Sequence, residues 1–436
     1  MRKAWIFLIA APLLAEGPLA LSLKRAVQIA VSPEGNTNIQ LSAEGLKQAQ
    51  MRSLEARAAL LPDVEGSVTV ENRTENLAAL GIRVVTPIPG FAFPTFVGPF
   101  STFDARATAT QSVVDFGAFR RLQASKAGVT AARSDSDSAA ELVAANTARA
   151  YLAAVKADAD VETAQANVTL SQALLTQARN QKDAGTGTGI EITRANVQLA
   201  NDRQHLLVTQ TARRAAHMQL LRAMNMRLDT DLDLTDKLQY APVDSVTLEA
   251  ARKQALAERA DLRAQEGREE NARLSDSAVR MQRFPSLAAF GDYGSIGSGP
   301  ADALPTRTIG VSLKVPIFNG GRREAERAES ASQYRAEKVR TNDLKQQVEL
   351  DVRLALDELQ SAEDEVKVAQ EGLTLSENEL AQARRRYDAG IAISVEVTDA
   401  QTRLERARDN RLAALYSFNI AKIDLAQATG KVRASL

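Results

Sequence analysis

Reactive side chains and net charge are both scarce in this sequence of 436 residues. It contains no cysteine and only two histidines, His205 and His217. The lack of cysteine excludes disulfides, thiol catalysis and thiolate metal sites, and the histidines, with no carboxylate cluster at ligand spacing, are predicted to be solvated helix residues. The 54 basic and 54 acidic residues are spread through the chain, so no basic surface for nucleic acid is expected. These shortages predict a protein that is not an enzyme, with no cofactor, no metal and no nucleic-acid partner.

Long hydrophobic runs are also missing, apart from one at the N-terminus. Arg2 and Lys3 precede an apolar run from Ala4 to Leu14, and the small Ala15 follows it. This layout is typical of a cleavable secretory signal peptide, here residues 1–15, and the run is too short to span a bilayer as a helix. The mature chain is therefore predicted to be exported and not to be an α-helical membrane protein.

What the sequence does contain is an internal repeat. The segment LTQARNQKDAGTGTGIEITRANVQLANDR, which begins at Leu175, aligns with LAQARRRYDAGIAISVEVTDAQTRLERAR, which begins at Leu380, at a constant offset of 205. The offset places Gly185 on Gly390, and shorter flanking matches extend the similarity in both directions. The chain is predicted to consist of two tandem copies of one unit.

Each copy is predicted to contain a long antiparallel helical hairpin. Apolar and small residues recur at alternating spacings of four and three, which is the heptad pattern of a coiled coil. The segment 322–388 would form a helix of roughly 100 Å at 1.5 Å per residue, and the glycine segments would form the hairpin tips. The seam of the second copy comprises Leu344, Val348, Val352, Ala355, Leu359, Ala362, Val366, Ala369, Leu373, Ser376, Leu380, Ala383 and Tyr387, then Ile393, Val397, Ala400, Leu404, Ala407, Ala414, Phe418, Ala421, Leu425 and Ala428, with Arg411 as its one break.

Each copy also carries two segments with strand periodicity. Alternation is clear from Val64, from Phe103 and from Ser286, and it is clearest in TIGVSLKVPIF, residues 308–318. Such segments have the length of a tilted strand that crosses an outer membrane. Ten of the 12 phenylalanines lie in 91–119 or 284–318, as aromatic girdles at membrane interfaces would require. A soluble β-sheet core is the alternative.

Four strands cannot enclose a lumen, so several chains would have to share one barrel. Three chains would give twelve strands. The predicted fold class is therefore an α+β membrane protein of two tandem repeats; if three chains contribute, the assembly is a trimer with a twelve-stranded barrel and a helical tunnel. The predicted layout is a signal peptide at 1–15, a first repeat at 16–225 with strands near 63–116 and a helical hairpin at 118–225, a connector at 226–246, a second repeat at 247–430 with strands near 284–318 and a helical hairpin at 321–429, and a tail at 431–436.

The chain resembles TolC-like outer-membrane efflux proteins over nearly its whole length. The most specific matches are RRRYDAGIAISVEVTDAQTRLERARDN, ARAALLP and VPIFNGGRR, in their doubled arrangement. The resemblance implies a homotrimeric channel in outer-membrane lipid, with a periplasmic tunnel closed at its lower end. It also implies a periplasmic adaptor and an inner-membrane transporter as partners, in a tripartite efflux or type I secretion system.

The resemblance further implies a gate near the second tip. The family's two constriction carboxylates match Glu396 and Asp399, whose spacing places them on one helix face, and a tyrosine before the tip matches Tyr387. Rings of carboxylates attract cations. A solvated polar face near a helix start is the alternative. The family's arginine after the tip glycine is replaced by Ala392, so Arg194 and Arg386 are candidate substitutes, and we predict a contact from Arg194 to Glu396 or Asp399.

The tips themselves, marked by Asp183, Gly185, Asp388 and Gly390, are predicted to dock the adaptor. GTGTG is not a dinucleotide loop, because a long helix and not a strand precedes it. Gly187 and Gly189 have no counterpart in the second copy and are not required by the shared architecture. A secreted coiled-coil scaffold without a barrel remains the alternative function, although it leaves the strand segments unexplained.

Overall fold

A computed structural model of the chain describes residues 18–82, 90, 94–242 and 247–435. The predicted signal peptide lies outside the described residues. The chain divides into two compact units. We call residues 46–132 and 264–341 the sheet unit, and residues 1–45, 133–263 and 342–436 the helical unit.

The order of elements along the chain is the same in its two halves. Strand, two helices, two strands and two helices occur from β1 to α4 and again from β4 to α8. The elements are β1 (Leu19–Leu21), α1 (Leu23–Val31), α2 (Thr37–Ala58), β2 (Asp63–Asn76), β3 (Phe96–Val114), α3 (Phe116–Asp183), α4 (Gly189–Ala223), β4 (Leu232–Leu234), α5 (Leu248–Glu258), α6 (Ala260–Met281), β5 (Ser286–Gly297), β6 (Leu304–Lys314), α7 (Arg322–Asp388), α8 (Ser394–Ala428) and α9 (Val432–Ser435).

The four predicted strands form one antiparallel sheet in the order β2-β3-β5-β6. Directly opposed residues point to the same side of an antiparallel sheet, so the register assigns each side chain to a face. One face, the apolar face, carries mainly apolar residues, with polar exceptions that include Gln111, Ser295 and Arg307; its apolar members are Val64, Val68, Val70, Phe103, Ala105, Ala107, Ala109, Leu287, Ala289, Tyr293, Ile309, Val311 and Leu313. The opposite face, the polar face, carries Glu65, Ser67, Thr69, Glu71, Thr102, Asp104, Arg106, Thr108, Thr110, Asp292, Thr306, Thr308, Ser312 and Lys314.

The described part of the chain leaves the apolar face uncovered. Val68 is 70% exposed, Ile309 is 82% exposed and Leu313 is 64% exposed. On the polar face, Arg106 pairs with Asp104 and with Asp292, the latter at 3.0 Å between Nη1 and Oδ1. Arg106 lies opposite Gly294, where an added Cβ would come within 2.4 Å of the Arg106 Cβ. The charged cluster therefore depends on a glycine in the neighbouring strand.

The last strand begins and ends earlier than its alternation predicts. The expected strand was 308–318, whereas β6 runs from Leu304 to Lys314. Lys314 pairs with Ser286, the first residue of β5, so the ladder has no partner residues beyond it. Pro316 also lacks the N–H that a longer ladder would use. Val315 and Ile317 were predicted to share the strand face, and they lie outside the strand.

The predicted heptad seam holds the helical unit together. The helix expected over 322–388 is α7. Within the helical unit, seam residues are buried along most of α7 and along α8. The buried members include Val348, Val352, Ala355, Ala362, Val366, Leu380 and Ala383 on α7, and Val397, Ala400, Leu404, Ala414, Phe418, Ala421 and Ala428 on α8. Arg411, the break in the seam, donates from Nε to Gln370 Oε1 of α7 at 2.6 Å. In the described part of the chain, no helix is both long and apolar enough to cross a membrane.

Two short strands in the helical unit were not predicted. β1 pairs with β4 in parallel, so the predicted connector at 226–246 contains a strand. Tyr151 of α3 is fully buried beneath this pair, and its hydroxyl donates to the backbone oxygen of Leu21 at 2.8 Å. Three-residue strands carry too little periodicity to be recognised in a sequence.

The prediction for His217 was wrong. Its side chain is only 15% exposed, and its Nε2 lies 3.0 Å from Asp158 Oδ1. Arg213 Nε also contacts that oxygen, at 2.6 Å. Asp158 lies on α3 and His217 on α4, so the contact arises from antiparallel packing over a sequence separation of 59 residues. A search for nearby carboxylates at local spacing could not detect it.

Candidate functional site

The two hairpin tips have the same backbone structure. Residues 184–188, the first tip, join α3 to α4, and residues 389–393, the second tip, join α7 to α8. Gly185 and Gly390 adopt φ values of 76° and 70°, which favour glycine, and end their helices as left-handed caps. Four backbone hydrogen bonds close each turn, and every donor and acceptor in the second tip lies 205 positions after its equivalent in the first.

The largest difference in backbone hydrogen-bond length between the tips is at Gly187 and its equivalent Ala392. The N–H of Gly187 donates to Gln181 O at 2.9 Å, whereas the N–H of Ala392 donates to Arg386 O at 3.2 Å. A Cβ added to Gly187 would lie 2.9 Å from the backbone nitrogen of Lys182. The hydrogen bond at Ala392 is longer, and the turn there accommodates the alanine methyl group. The turn therefore does not require glycine at the position of Gly187.

The first residues of the return helices use equivalent glutamates differently. In the first tip, the carboxylate of Glu191 accepts a hydrogen bond from the N–H of Thr188 at 2.8 Å, which caps α4. The equivalent N-cap of α8 is Ile393, whose side chain makes no capping hydrogen bond. Glu396 instead contacts Arg386 of α7, with Oε1 3.1 Å from Nε. The pair lies across the second tip.

The predicted contact of Arg194 is not found within the chain. The partner of Glu396 is Arg386, the other candidate, and the structure has no hydrogen bond or ion pair between Arg194 and Glu396 or Asp399, all of which are described residues. Arg194 is exposed on α4 at the position equivalent to Asp399. Arg386 reaches Glu396 because the tight turn brings the end of α7 beside the start of α8.

The carboxylate pair of α8 is accessible to solvent on one side of a packed helix. Asp399 is exposed, and the side chain of Glu396 is 41% exposed. Between and beside them, Val397 and Ala400 are buried in a cluster with Leu380 and other residues of the two hairpins. This packing fixes the helix, so the carboxylates point away from the buried cluster.

Two side-chain hydrogen bonds connect the second tip to the first hairpin. Tyr387 Oη donates to Gln181 Oε1, and Gln177 Nε2 donates to Asp388 Oδ1 at 2.5 Å. Burial and the nearby charges of Glu191 and Asp388 raise the pKa of Tyr387, so its hydroxyl keeps its proton and remains a donor. Asp183, at the end of α3, is exposed.

Sequence reasoning did not identify Gln177 and Gln181. The 205-residue offset places Gln181 on Arg386, a residue that was identified. Both residues therefore form a tip contact, Gln181 with Tyr387 and Arg386 with Glu396. The repeat alignment was a signal that could have found Gln181, whereas no feature of the sequence marks Gln177.

The family of the chain follows from a comparison with known proteins. The model of a family described as "Outer membrane efflux protein" matches residues 33–226 and 251–431, most of the sequence. The chain belongs to the outer membrane efflux protein family. The resemblance to TolC-like efflux proteins is thereby confirmed, and the family and its members are transport proteins rather than enzymes.

Relatives of this efflux protein include export and secretion components. It is 24% identical over 410 residues to the pyoverdine export outer membrane protein OpmQ of Pseudomonas putida, covering 92% of this chain and 84% of the relative. It is 23% identical over 424 residues to the alkaline protease secretion protein AprF of Pseudomonas aeruginosa, covering 95% and 85%. The outer membrane protein VceC of Vibrio cholerae has a similar fold, with a TM-score of 0.79 at 18% identity over 94% of this chain and 96% of that one.

The second tip of this efflux protein combines hydrogen bonds to the first hairpin with solvent-facing carboxylates. Its contacts to the first hairpin are a few exposed or half-buried hydrogen bonds, and its carboxylates face solvent. Within the described residues, no group of three or more histidine, aspartate or glutamate side chains is arranged to hold a metal ion. The solvent-facing carboxylates can attract cations electrostatically.

Proposed function

We propose that three copies of this chain form an outer-membrane channel that exports substrates as part of a tripartite efflux or type I secretion system. The sheet units would together form a twelve-stranded barrel in the outer membrane, and the helical hairpins would form a periplasmic tunnel. Substrate would pass through a water-filled duct, and the energy for transport would come from the inner-membrane partner. The N-terminal signal peptide proposed at 1–15 accounts for export of the chain.

The observation that carries the proposal is the division of the sheet into an apolar and a polar face. Strands that alternate apolar-out and polar-in are the pattern of an outer-membrane wall around an aqueous lumen. The edge strands β2 and β6 present unpaired backbone groups, which hydrocarbon does not tolerate. Neighbouring copies would pair with these edges and close the barrel.

A tandem duplication accounts for the recurrence of the element order. The family model matches in two blocks, 33–226 and 251–431, and each block contains one helical hairpin and one pair of strands. We propose the repeat boundaries 16–225 and 247–430 with the connector 226–246 between them. The equal backbone structure of the tips supports this division.

We propose that the second tip is the periplasmic gate. Glu396 and Asp399 would form two rings of carboxylates around the threefold axis, and such rings favour cations. Tyr387 would hold the second hairpin to the first through Gln181, and Arg386 would hold Glu396 in place within the second hairpin. Opening would separate the second hairpin from the first.

Partners are proposed from the relatives and from the exposed tips. OpmQ is named for the export of pyoverdine and AprF for the secretion of alkaline protease, so relatives of this kind serve different cargoes. We propose that a periplasmic adaptor docks at the tips marked by Asp183, Gly185, Asp388 and Gly390, and that an inner-membrane transporter selects the substrate.

A pair of matched variants tests the proposal. Val68→Arg places a charge on the apolar face, where arginine near the bilayer centre costs about 2–4 kcal/mol. Thr69→Arg, the control, places the same side chain on the polar face. We expect the wild type and Thr69→Arg to fractionate with the outer membrane and to cross-link as trimers, and Val68→Arg to be depleted from that fraction.

The scaffold alternative predicts a different result. A soluble periplasmic protein would be released by osmotic shock, and the two variants would behave alike. Recovery of the wild type in the soluble periplasmic fraction, or as a species other than a trimer after cross-linking in membranes, would contradict the channel proposal.

A further inference from the structure

A polar layer crosses the otherwise apolar packing between the first hairpin and α8. It consists of Ser171 on α3, Asp202 on α4, and Gln401 and Glu405 on α8, and we call these four residues the acidic layer. Ser171 and Gln401 are each 1% exposed and Asp202 is 7% exposed. Polar side chains this buried are retained only when they are hydrogen-bonded, so the partners of each residue matter.

The hydrogen bonds of the acidic layer run from one hairpin to the other. The Ser171 hydroxyl donates to Asp202 Oδ2, and Gln198 Nε2 donates to Asp202 Oδ1 at 2.9 Å. Gln401 Nε2 donates both to Ser171 Oγ at 2.8 Å and to Glu405 Oε1 at 3.1 Å. One amide group therefore connects the carboxyl of Glu405 to the network around Asp202.

The charges around Glu405 do not balance. From α4 it faces Asp202, and on its own helix it is flanked by Asp409 and by Arg408. Arg408 donates to Asn167 of α3 at 3.1 Å, and Ser171 of α3 accepts a hydrogen bond from Gln401. Both of these α3 residues are neutral. Burial, then the charge of Asp202 and that of Asp409, raise the pKa of Glu405 to about 7 from its ordinary 4.5.

The charged groups farther along the interface act on Asp409 rather than on Glu405. His205 of α4 and Lys156 of α3 oppose the effect of Asp160 on that carboxyl. Lys156 is held by Asp160, with Nζ 2.8 Å from Oδ2. No cation in the described chain forms an ion pair with Glu405 or with Asp202 in this structure.

The acidic layer is not a requirement of the hairpin architecture. The 205-residue offset places Asp202 on Ala407 and Glu405 on Ala200, so each carboxyl has an alanine as its counterpart. The matching helices therefore pack without carboxyls at those positions. Asp202 is buried and Glu405 is half-buried, and two carboxyls at one helix interface cost stability when both are ionised.

We propose that a proton bound by Glu405 in the acidic layer holds α8 against the first hairpin, and that loss of this proton favours separation of the two hairpins. The inference rests on the proposed function, because it names a regulator of the proposed gate. With Glu405 ionised, Asp202 and Glu405 repel each other across α4 and α8. Separation admits water and removes the repulsion.

The direction of the pH effect follows from proton linkage. The closed form holds the proton up to about pH 7, whereas a solvated Glu405 releases it near its ordinary 4.5. The closed form therefore binds more protons than the open form. Its stability relative to the open form decreases as pH rises from 4.5 to about 7 and is constant at higher pH. For a single proton, the ratio of open to closed form rises by at most about tenfold per pH unit.

The first test records the open fraction of the full-length protein in planar bilayers from pH 5 to 8. We expect the wild-type open fraction to rise up to about pH 7, and that of Glu405→Gln to stay low at every pH, because the amide mimics the protonated carboxyl. Glu371→Gln, an exposed residue of α7, is the control and should keep the wild-type response. A wild-type open fraction independent of pH, or an unchanged response in Glu405→Gln, would overturn the inference.

The second test does not depend on conduction. Because the sequence has no cysteine, Gln204→Cys on α4 and Arg406→Cys on α8 can carry the only two spin labels. In trimers diluted with unlabelled chain, we expect the distance between the labels to increase from pH 5 to 7.5, and to stay constant when Glu405→Gln is added. Equal distances at both pH values would overturn the inference, even for a protein that forms a channel. If the distance changes but no current is recorded, the channel proposal is contradicted and the proton-linked movement of the hairpins is supported.

Discussion

The two hairpin tips share a backbone but differ in the side chains that hold them. The first tip is closed on itself, because Glu191 caps α4 and its carboxylate stays in its own hairpin. In the second tip, Glu396 contacts Arg386, also within its own hairpin, and Tyr387 donates to Gln181 of the first hairpin. Equal turns therefore carry different side-chain contacts, and we call the hydrogen bond between Tyr387 and Gln181 the latch.

This difference shows which part of each tip determines the fold and which determines its use. The glycines at Gly185 and Gly390 and the four backbone hydrogen bonds are common to both, so they form the turn. The equivalent glutamates differ in their partners, because Glu191 accepts a hydrogen bond from the N–H of Thr188 whereas Glu396 pairs with Arg386. The turn is therefore common to the two tips, and the side-chain contacts are not.

The largest expected effect tests the glycine turn that the two tips share. Gly185→Ala and Gly390→Ala should each destabilise their tip by about 1–2 kcal/mol, because a side chain is strained at positive φ. Hydrogen exchange of the turn amides measures this local stability. We expect the two losses to be equal, and a clearly larger loss at one tip would contradict the equivalence of the turns.

An intermediate effect tests the latch. Tyr387→Phe removes the hydrogen bond to Gln181, which should cost about 1 kcal/mol and lower the protection of the second-tip amides about fivefold. Lys182→Gln is the matched control, because Lys182 is the exposed counterpart of Tyr387 in the first hairpin. Unchanged protection in Tyr387→Phe would show that the latch bond does not hold the second tip.

The smallest effect concerns the exposed ion pair at the second tip. Arg386→Gln should lower protection by less than about fivefold, because exposed pairs are weak and screened by salt. The difference from the wild type should shrink at high ionic strength. Arg385→Gln removes a neighbouring exposed arginine and serves as the control. A large effect that persists in high salt would mean that Arg386 acts through contacts other than Glu396.

The helices and strands could be predicted because their signals repeat over many residues. The heptad spacing of Val348, Val352 and their successors marked a buried seam, and alternation marked all four long strands. Positive-φ turns were marked by their glycines. The end of β6 could not be predicted in the same way, because it depends on where β5 begins and not on the alternation, which continues through Ile317.

The contacts of the candidate site were harder to predict, because they depend on how neighbouring helices are rotated. Arg194 and Arg386 were equally plausible partners for Glu396 on charge alone, and only the geometry of the turn selects Arg386. Gln181 is a neutral residue with no local signal, and it becomes important through Tyr387 on another hairpin. The acidic layer was missed for the same reason, since Asp202 and Glu405 are about two hundred residues apart in the sequence.

Single-channel recording in a planar bilayer tests the central claim most directly. The purified protein is compared with a variant that carries Glu396→Gln and Asp399→Asn together, and with Glu191→Gln, which removes the equivalent carboxylate of the first tip. We predict that the wild type forms discrete channels of low conductance, that the double variant conducts more or gates irregularly, and that Glu191→Gln behaves as the wild type does. Identical currents in the wild type and the double variant would contradict the assignment of the second tip as the gate, and the absence of any channel would contradict the account as a whole.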